Sequence, residues 1–341
     1  MKRQYSLRLN KIEEALRSAL PPVVDSRWLR RSAGVDEQGV LESYENIVKP
    51  ARDLIERGGK RWRPMLMQLA CELVGGADRS LPLAPLVELP HNGSLIIDDI
   101  EDRADWRRGG PSIHVIYGED MAINSGNLLY FLPTVVIDDG PFTAEEKALF
   151  YRYYTEDMRR LHFGQGLDIQ WHRDHDYTPS RSEYLQMCRF KTGSLARLAA
   201  RLGVAAGGGS GEQAERLGVI CEEMGVAFQI LDDVKNLTEG NPGKRRGDDI
   251  VEGKKSLPVI IHLLERPEGA ERIRSCFERA EAEGPESQAV EEAIALLEGS
   301  KSIEAARAVA EQMRGEATAG IRDGFGAGEA RDLIVHLFED F

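Results

Sequence analysis

Apolar residues recur at helical spacing along nearly the whole chain, in Leu66 to Val74, Leu86 to Ile97, Ile123 to Val136, Ala144 to Leu161, Leu195 to Leu202 and Ala214 to Leu237. Alternating strand patterns closed by tight glycine turns are nearly absent. The expected fold class is therefore all-α, a helical bundle. Breaks fall where Gly and Pro gather, at Gly75-Gly76, Gly109-Gly110-Pro111, Asp139-Gly140-Pro141, Ala206 to Gly211 and Gly240-Asn241-Pro242-Gly243. None is long enough for an interdomain linker. One helical domain over residues 1–341 is expected, with 1–45 as an N-terminal helical arm and 267–341, rich in Glu, Ala and Arg, as terminal helices packed on the bundle.

Two acidic clusters stand out against this background: Asp98-Asp99-Ile100-Glu101-Asp102 and Asp232-Asp233-Val234-Lys235-Asn236. Each emerges directly from an apolar helical stretch. On a helix, residues i and i+4 differ by about 40° in azimuth and about 6 Å in rise, so Asp98 and Asp102 point the same way. Asp232 and Asn236 repeat the spacing, with an uncharged group at the second position. An acidic run at a helix end is commonly just a solvated face. Here the carboxylates leave segments that should be core, and charge entering a core needs compensation by metal or by basic residues. Paired carboxylates at this spacing suit Mg²⁺, which keeps several waters and takes phosphate oxygens as further ligands. The implied substrate is a polyphosphate held between two helices.

Basic groups are at hand. Arg107-Arg108-Gly109-Gly110 offers forked donors beside flexible backbone, as a phosphate requires, although the arginines could simply neutralise the acidic cluster. Gly58-Gly59-Lys60-Arg61-Trp62-Arg63-Pro64 opens a helix, where backbone N–H groups favour an anion; a capped surface turn is the plainer alternative. Lys191-Thr192-Gly193 interrupts a helical stretch, and Lys244 and Lys254 flank Asp248-Asp249. Together these place several cations around two metal sites, the electrostatics needed for two diphosphates.

Composition narrows the class. With 42% hydrophobic and 30% charged residues, the chain can bury a sizeable core. A net charge of −13 opposes general nucleic-acid binding, so phosphate recognition must be local. Cys71, Cys188, Cys221 and Cys276 show no C-x-x-C spacing, which leaves reduced thiols as the expectation. The run Met1-Lys2-Arg3-Gln4-Tyr5 leads into a charged amphipathic stretch, and no long apolar span follows, so a soluble cytoplasmic protein without a membrane segment is expected.

These motifs, in this order, resemble the polyprenyl diphosphate synthases, the trans-isoprenyl transferases with the isoprenoid synthase fold. The resemblance runs through His91-Asn92-Gly93-Ser94-Leu95-Ile96-Ile97, the two Asp motifs, Gly164-Gln165-Gly166-Leu167-Asp168-Ile169-Gln170-Trp171, Lys191-Thr192-Gly193 and Glu252-Gly253-Lys254. The first Asp motif, the Gly-Gln-Gly run and the Asn236 ending are most similar to eukaryotic-type geranylgeranyl diphosphate synthases. The resemblance implies that Asp98, Asp102 and Asp232 bind three Mg²⁺ ions, with Asp99 in support. It places Arg107, Lys191, Gln229 and Lys254 on the allylic diphosphate, assisted by Thr192 and Lys244. Isopentenyl diphosphate would sit on Lys60, Arg63, His91 and Arg108, with Phe228 lining its hydrocarbon. A homodimer and head-to-tail elongation with release of diphosphate are the family expectation.

Two other classes are open. A silent subunit of a heteromeric synthase would lack a metal motif, and both are present. A terpene cyclase ionises the same allylic substrate but has no use for the Lys60, Arg63 and Arg108 group. Incorporation of labelled isopentenyl diphosphate separates all three. Product length is expected to be C20, with farnesyl or longer chains of C25 and above as alternatives. Gly93 and Ser94, one turn before Asp98, are too small to stop a chain at C15, and Tyr130, Phe131 and His162 match the positions of a tunnel floor in the family, unless they are ordinary core residues.

Overall fold

The computed structural model describes residues 2–35, 41–174, 176–240 and 245–339. Among them helix is almost the sole regular structure, the exception being an antiparallel pairing of Trp106–Arg107 with Gly110–Pro111. The expected stretches lie in the helices Trp62–Leu73, Pro85–Glu101, Glu119–Phe131, Ala144–Arg173, Ser194–Ala206 and Gly211–Thr238. One is divided: after Phe131 the chain passes through a 3₁₀ turn, Leu132–Thr134, before the short helix Val135–Asp139. Pro133 explains the change of winding, since it offers no backbone N–H to continue an α-helix. The tail is helical as expected, in Ala270–Glu283, Gln288–Gly299, Ser302–Gly324 and Glu329–Glu339. No helix of the described residues is long and apolar enough to cross a membrane.

The chain divides into two compact units. The first comprises Met1–Thr155, Leu198–Leu217 and Ala327–Ile334, and the second Glu156–Arg197, Gly218–Gly326 and Val335–Phe341. The first acidic motif belongs to one and the second acidic motif to the other.

In the first unit the Pro85–Glu101 helix begins with proline, whose missing N–H costs nothing at a helix start. It packs along Glu119–Phe131 with backbones in direct contact: a Cβ on Gly93 would stand 2.7 Å from the Gly126 carbonyl oxygen, and one on Gly126 2.8 Å from Ile97 Cδ1. Leu86, Leu89, Ile96 and Leu129 are fully buried. Each such side chain stabilises the fold by about 1.5–3 kcal/mol relative to exposure.

The second unit is built on a core that includes Trp171, Tyr184, Ile230, Val234, Leu257, Ile260 and Phe277. Its Arg181–Cys188 helix starts at a capping box in which the Ser180 hydroxyl accepts from the Glu183 backbone N–H and the Glu183 carboxylate accepts from the Ser180 N–H. The helix does not stop at Cys188. It widens into a π-helical turn, Arg189–Gly193, and resumes as Ser194–Ala206. Glycines on both flanks admit the wider turn: a Cβ on Gly164 would fall 2.2 Å from the Lys191 amide nitrogen, and one on Gly225 2.8 Å from Gly193 Cα.

Gly126→Ala should therefore destabilise the first unit by about 1–3 kcal/mol, the usual cost of forcing a methyl into a closed contact. Thermal unfolding reads this as a lowered melting temperature, and an unchanged value would refute the backbone contact.

Candidate active site

The first unit gathers a cluster of cations against Glu88, His91 and Asn92 of the Pro85–Glu101 helix. Arg61 stands at the start of the Trp62–Leu73 helix with φ +49°, and its guanidinium donates to Glu13 Oε1 at 2.8 Å, Glu88 Oε1 at 2.8 Å and the Ile55 carbonyl at 2.7 Å. Glu88 also accepts from Asn92 Nδ2 at 3.1 Å, and Asn92 Oδ1 accepts from Arg108 Nη1 at 2.8 Å. Arg108 is thus aimed by a buried relay. The backbone that carries it is braced by Arg57, whose Nη1 donates to the carbonyls of Arg107 at 3.0 Å and Pro111 at 2.8 Å.

Arg63 lies over the Trp62 ring at 4.3 Å, and its buried Nε has no partner. Burial and, after the opposing pull of Glu88, the neighbouring Arg108 bring the Arg63 guanidinium down to about 10. Burial and nearby arginines bring Arg108 down to about 10 as well, against Glu88. Burial, Arg63 and Arg108 hold the His91 imidazole well below its ordinary value, so it is neutral near pH 7. Lys60 is exposed beside them. Cations this crowded, with an orphaned buried donor, are complementary to an anion.

Two turns further along the same helix, Asp98 and Asp102 are partly exposed and Asp99 is fully buried. Arg107 Nε donates to Asp99 Oδ1 at 2.7 Å, and its Nη2 lies 3.7 Å from Asp98. Burial raises the Asp99 carboxyl while Arg107 opposes the rise, which fits a supporting role better than a metal ligand. No group of three His, Cys, Asp or Glu among the described residues is placed to hold a metal by itself. The oxygen pair of Asp98 and Asp102 nevertheless fits Mg²⁺, which binds proteins through one or two carboxylates and completes its shell with water and phosphate.

In the second unit the π-helical turn presents Lys191 and Thr192. Lys191 Nζ is paired with Asp168 Oδ2 at 2.5 Å. Burial works against that carboxylate, but Lys191 and Lys254 outweigh it and hold Asp168 below the usual range. Lys254 is paired with Glu252 and lies 3.9 Å from Asp249. Thr192 Oγ1 donates to Gln229 Oε1 at 2.7 Å, and Gln229 Nε2 donates to Asp233 Oδ1 at 3.0 Å. Asp232 is exposed, whereas burial pushes the Asp233 carboxyl up to about 6 against hydrogen bonds from Tyr184 and Gln229. Phe228 is partly buried one residue before Gln229. Asn236 is fully buried, and its Oδ1 accepts from the Asp249 backbone N–H at 3.3 Å. It ties the acidic helix to the turn leading to Lys254, so the uncharged residue serves the backbone here. Lys244 lies outside the described residues.

The proposed wall and floor of a tunnel separate on inspection. Gly93 faces Gly126 of the adjacent helix, so its small size serves helix contact and not an open channel. Ser94 is partly buried, with its hydroxyl donating to the His91 carbonyl at 2.9 Å. Tyr130 is buried against Gly93, and its phenol is raised by burial first and then by Glu101 and Asp98. Phe131, one residue on and about 100° around the helix, is 73% exposed. His162 is also exposed, with Nδ1 2.8 Å from the Met158 carbonyl. Of the three expected floor residues, the chain itself buries only Tyr130.

Two participants were not picked out from sequence, Glu88 and Tyr184, and two more, Asn92 and Asp168, appeared there only as motif members without a role. The available signal was a polar residue inside an otherwise apolar helical run, as with Glu88 and Asn92 at i, i+4.

Comparison with known proteins identifies the family. The polyprenyl synthetase family model matches residues 44–297. A geranylgeranyl diphosphate synthase from Methanosarcina mazei is 39% identical over 246 residues, covering 71% of this chain and 75% of that protein. A geranylgeranyl pyrophosphate synthase from Eremothecium gossypii is 38% identical over 229 residues, 65% of this chain and 71% of the other. Among solved structures, geranylgeranyl pyrophosphate synthetase from Pyrococcus horikoshii Ot3 superposes with a TM-score of 0.84 at 28% identity, covering 98% of this chain and 96% of that one. With the family model spanning well over half of the residues, an all-helical fold of matching architecture and both acidic motifs in place, the chain belongs to the polyprenyl synthetase family and is a prenyl chain-elongating transferase.

Proposed function

We propose that the enzyme joins isopentenyl diphosphate head to tail to an allylic diphosphate, dimethylallyl, geranyl or farnesyl, and that its main product is geranylgeranyl diphosphate, C20. One observation carries the two-substrate reading. His91, which Arg63 and Arg108 surround, and Asp98 ride on one helix, seven residues apart, with Asp102 at its end. At 1.5 Å per residue that is roughly 10 Å. A site for a metal-free diphosphate thus stands beside a site for a metal-bound one, which a condensing enzyme requires and a cyclase of a single diphosphate does not.

The roles follow from the charges. Lys60, Arg63, His91 and Arg108 hold isopentenyl diphosphate, with Phe228 against its hydrocarbon. Arg107, Lys191, Thr192, Gln229, Lys244 and Lys254 contact the allylic diphosphate. Asp98, Asp102 and Asp232 are the ligands for three Mg²⁺ ions, whose Lewis acidity stabilises the departing diphosphate. Arg107 and the lysines add fixed positive charge where negative charge grows as the allylic C–O bond breaks. Neutral His91 can donate a hydrogen bond to a phosphate oxygen without competing for its proton. The double bond of isopentenyl diphosphate attacks the allylic carbon, and loss of a proton restores the alkene. Exclusion of water protects the cation until that step.

Ile116, Ile123 and Phe131 stand exposed on one unit, apolar surface that a homodimer would cover. The absence of a membrane-crossing helix among the described residues accords with a cytoplasmic enzyme. Relatives named for a C20 product and the buried Tyr130 beneath Asp98 and Glu101 support the product length.

Asp98→Ala, Asp102→Ala and Asp232→Ala should each lower kcat by about a hundredfold or more, the scale of removing one transition-state electrostatic contact. Steady-state rates across a Mg²⁺ titration check this, and a near-normal rate in folded Asp98→Ala would sink the metal assignment. Arg63→Ala should raise KM chiefly for isopentenyl diphosphate and Lys191→Ala chiefly for the allylic partner; equal effects on both would reject the division of roles. Tyr130→Ala should move the product from C20 toward C25 and beyond on chromatography, whereas a wild-type product of C15 or of C30 and above would remove Tyr130 as the stop.

A further inference from the structure

Tyr184 is one of the most completely buried aromatic residues of the chain, 1% exposed, and its hydroxyl donates to Asp233 Oδ2 at 2.6 Å. Asp233 receives two further donors. Gln229 Nε2 reaches Oδ1 at 3.0 Å, and the Leu257 backbone N–H reaches Oδ2 at 3.4 Å. A carboxylate on which three donors converge is an acceptor only. That fixes the Gln229 amide, because its NH₂ end must face Asp233 and its carbonyl must face Thr192. Thr192 then has one choice, to donate its hydroxyl proton to Gln229 Oε1, where the two atoms are 2.7 Å apart. Every hydrogen bond from Tyr184 to Thr192 therefore has a set direction, and the lone pairs of the Thr192 hydroxyl are left on the side away from Gln229. The relay crosses three elements of the second unit: the Arg181–Cys188 helix, the π-helical turn and the Gly211–Thr238 helix.

Resting on the allylic reading of Lys191, Thr192 and Gln229, we infer that Tyr184 is a positioning residue for substrate, setting the orientation of Gln229 and Thr192 through Asp233. Without the phenol donor, Asp233 Oδ2 keeps only the long contact from the Leu257 N–H, and the carboxylate is no longer held at one rotation. Gln229 Nε2 follows the carboxylate it donates to, so the amide, and with it the Thr192 hydroxyl, loses its fixed placement. The phenol is a donor held within a core that also buries Met187 and Ile230. Burial and Asp233 both keep the Tyr184 hydroxyl protonated at any working pH, so it is a permanent donor.

The test is Tyr184→Phe, which removes one oxygen and keeps the ring. We expect kcat/KM for the allylic diphosphate to fall 10- to 100-fold with KM for isopentenyl diphosphate within twofold of wild type. Calorimetric binding of an unreactive thiolodiphosphate analogue of the allylic substrate should weaken in parallel. Thr192→Val should show a loss of the same kind, and the double variant should be no worse than the poorer single one, since both cut one relay. If Tyr184→Phe keeps wild-type kinetics and analogue binding, or if its loss adds fully to that of Thr192→Val, the inference is overturned. Should Tyr184→Phe fold poorly, Gln229→Met interrupts the relay at its middle, and additivity with Thr192→Val again decides against it. A non-additive loss that falls on isopentenyl diphosphate instead would leave the positioning role standing and reject the allylic reading of this half-site.

Discussion

Everything in the cation cluster of the first unit hangs on a buried ion pair, Arg61 with Glu88, whose side chains are 1% and 3% exposed. The same guanidinium reaches Glu13 on the Lys2–Ala19 helix and the carbonyl of Ile55 at the end of the Leu41–Glu56 helix. Three helices are thereby pinned to one planar cation. Such a pair adds little net stability against an apolar replacement, but breaking it by losing one partner leaves an uncompensated charge and costs about 3–5 kcal/mol. Its value lies in orientation. Glu88 holds Asn92, and Asn92 holds Arg108, so the guanidinium of the hairpin turn is aimed by a charge two hydrogen bonds removed from it.

The second unit solves the same problem with neutral donors in place of a second ion pair. Asp233 is buried and satisfied by Tyr184, Gln229 and a backbone amide, whereas its neighbour Asp232 is exposed. Adjacent carboxylates are thus sorted by helix azimuth alone into one that organises the protein and one turned outward. Asp98 and Asp99 are sorted the same way, with Arg107 as the partner of the buried member. Both acidic motifs work as a pair of unlike carboxylates, although their side chains are chemically identical.

Much of this was legible in the residues themselves. Helical periodicity, the i, i+4 aspartates and the clustered basic residues are local patterns, and local patterns survive without coordinates. What periodicity could not resolve was the direction of small or aromatic side chains. Gly93 reads as a gap, yet it is an approach point for Gly126, because the neighbour it faces is set by tertiary packing. Tyr130 and Phe131 are adjacent aromatics of similar size, and one is buried while the other is 73% exposed, a difference fixed by which side of the helix meets Pro85–Glu101. Asn236 reads as a weakened metal ligand, and its partner is a backbone amide thirteen residues away that no spacing rule would find. Lys191-Thr192-Gly193 reads as a break, whereas the helix continues through it with a wider winding. The clue was the glycines at 164 and 225, which are costly within helices unless something comes close.

That wider winding has a consequence for how this stretch of chain can change over time. A π-helical turn accommodates one residue more than the α-helix on either side of it. Deleting a single residue from Arg189–Gly193 would restore regular winding and shed the strain of the wider turn, so the local chain would become a better helix. It would also rotate Lys191 or Thr192 by about 100° relative to everything that follows. Deletions are therefore barred from these five positions even though they would be locally favourable, and length variation among relatives should collect in the loops on either side.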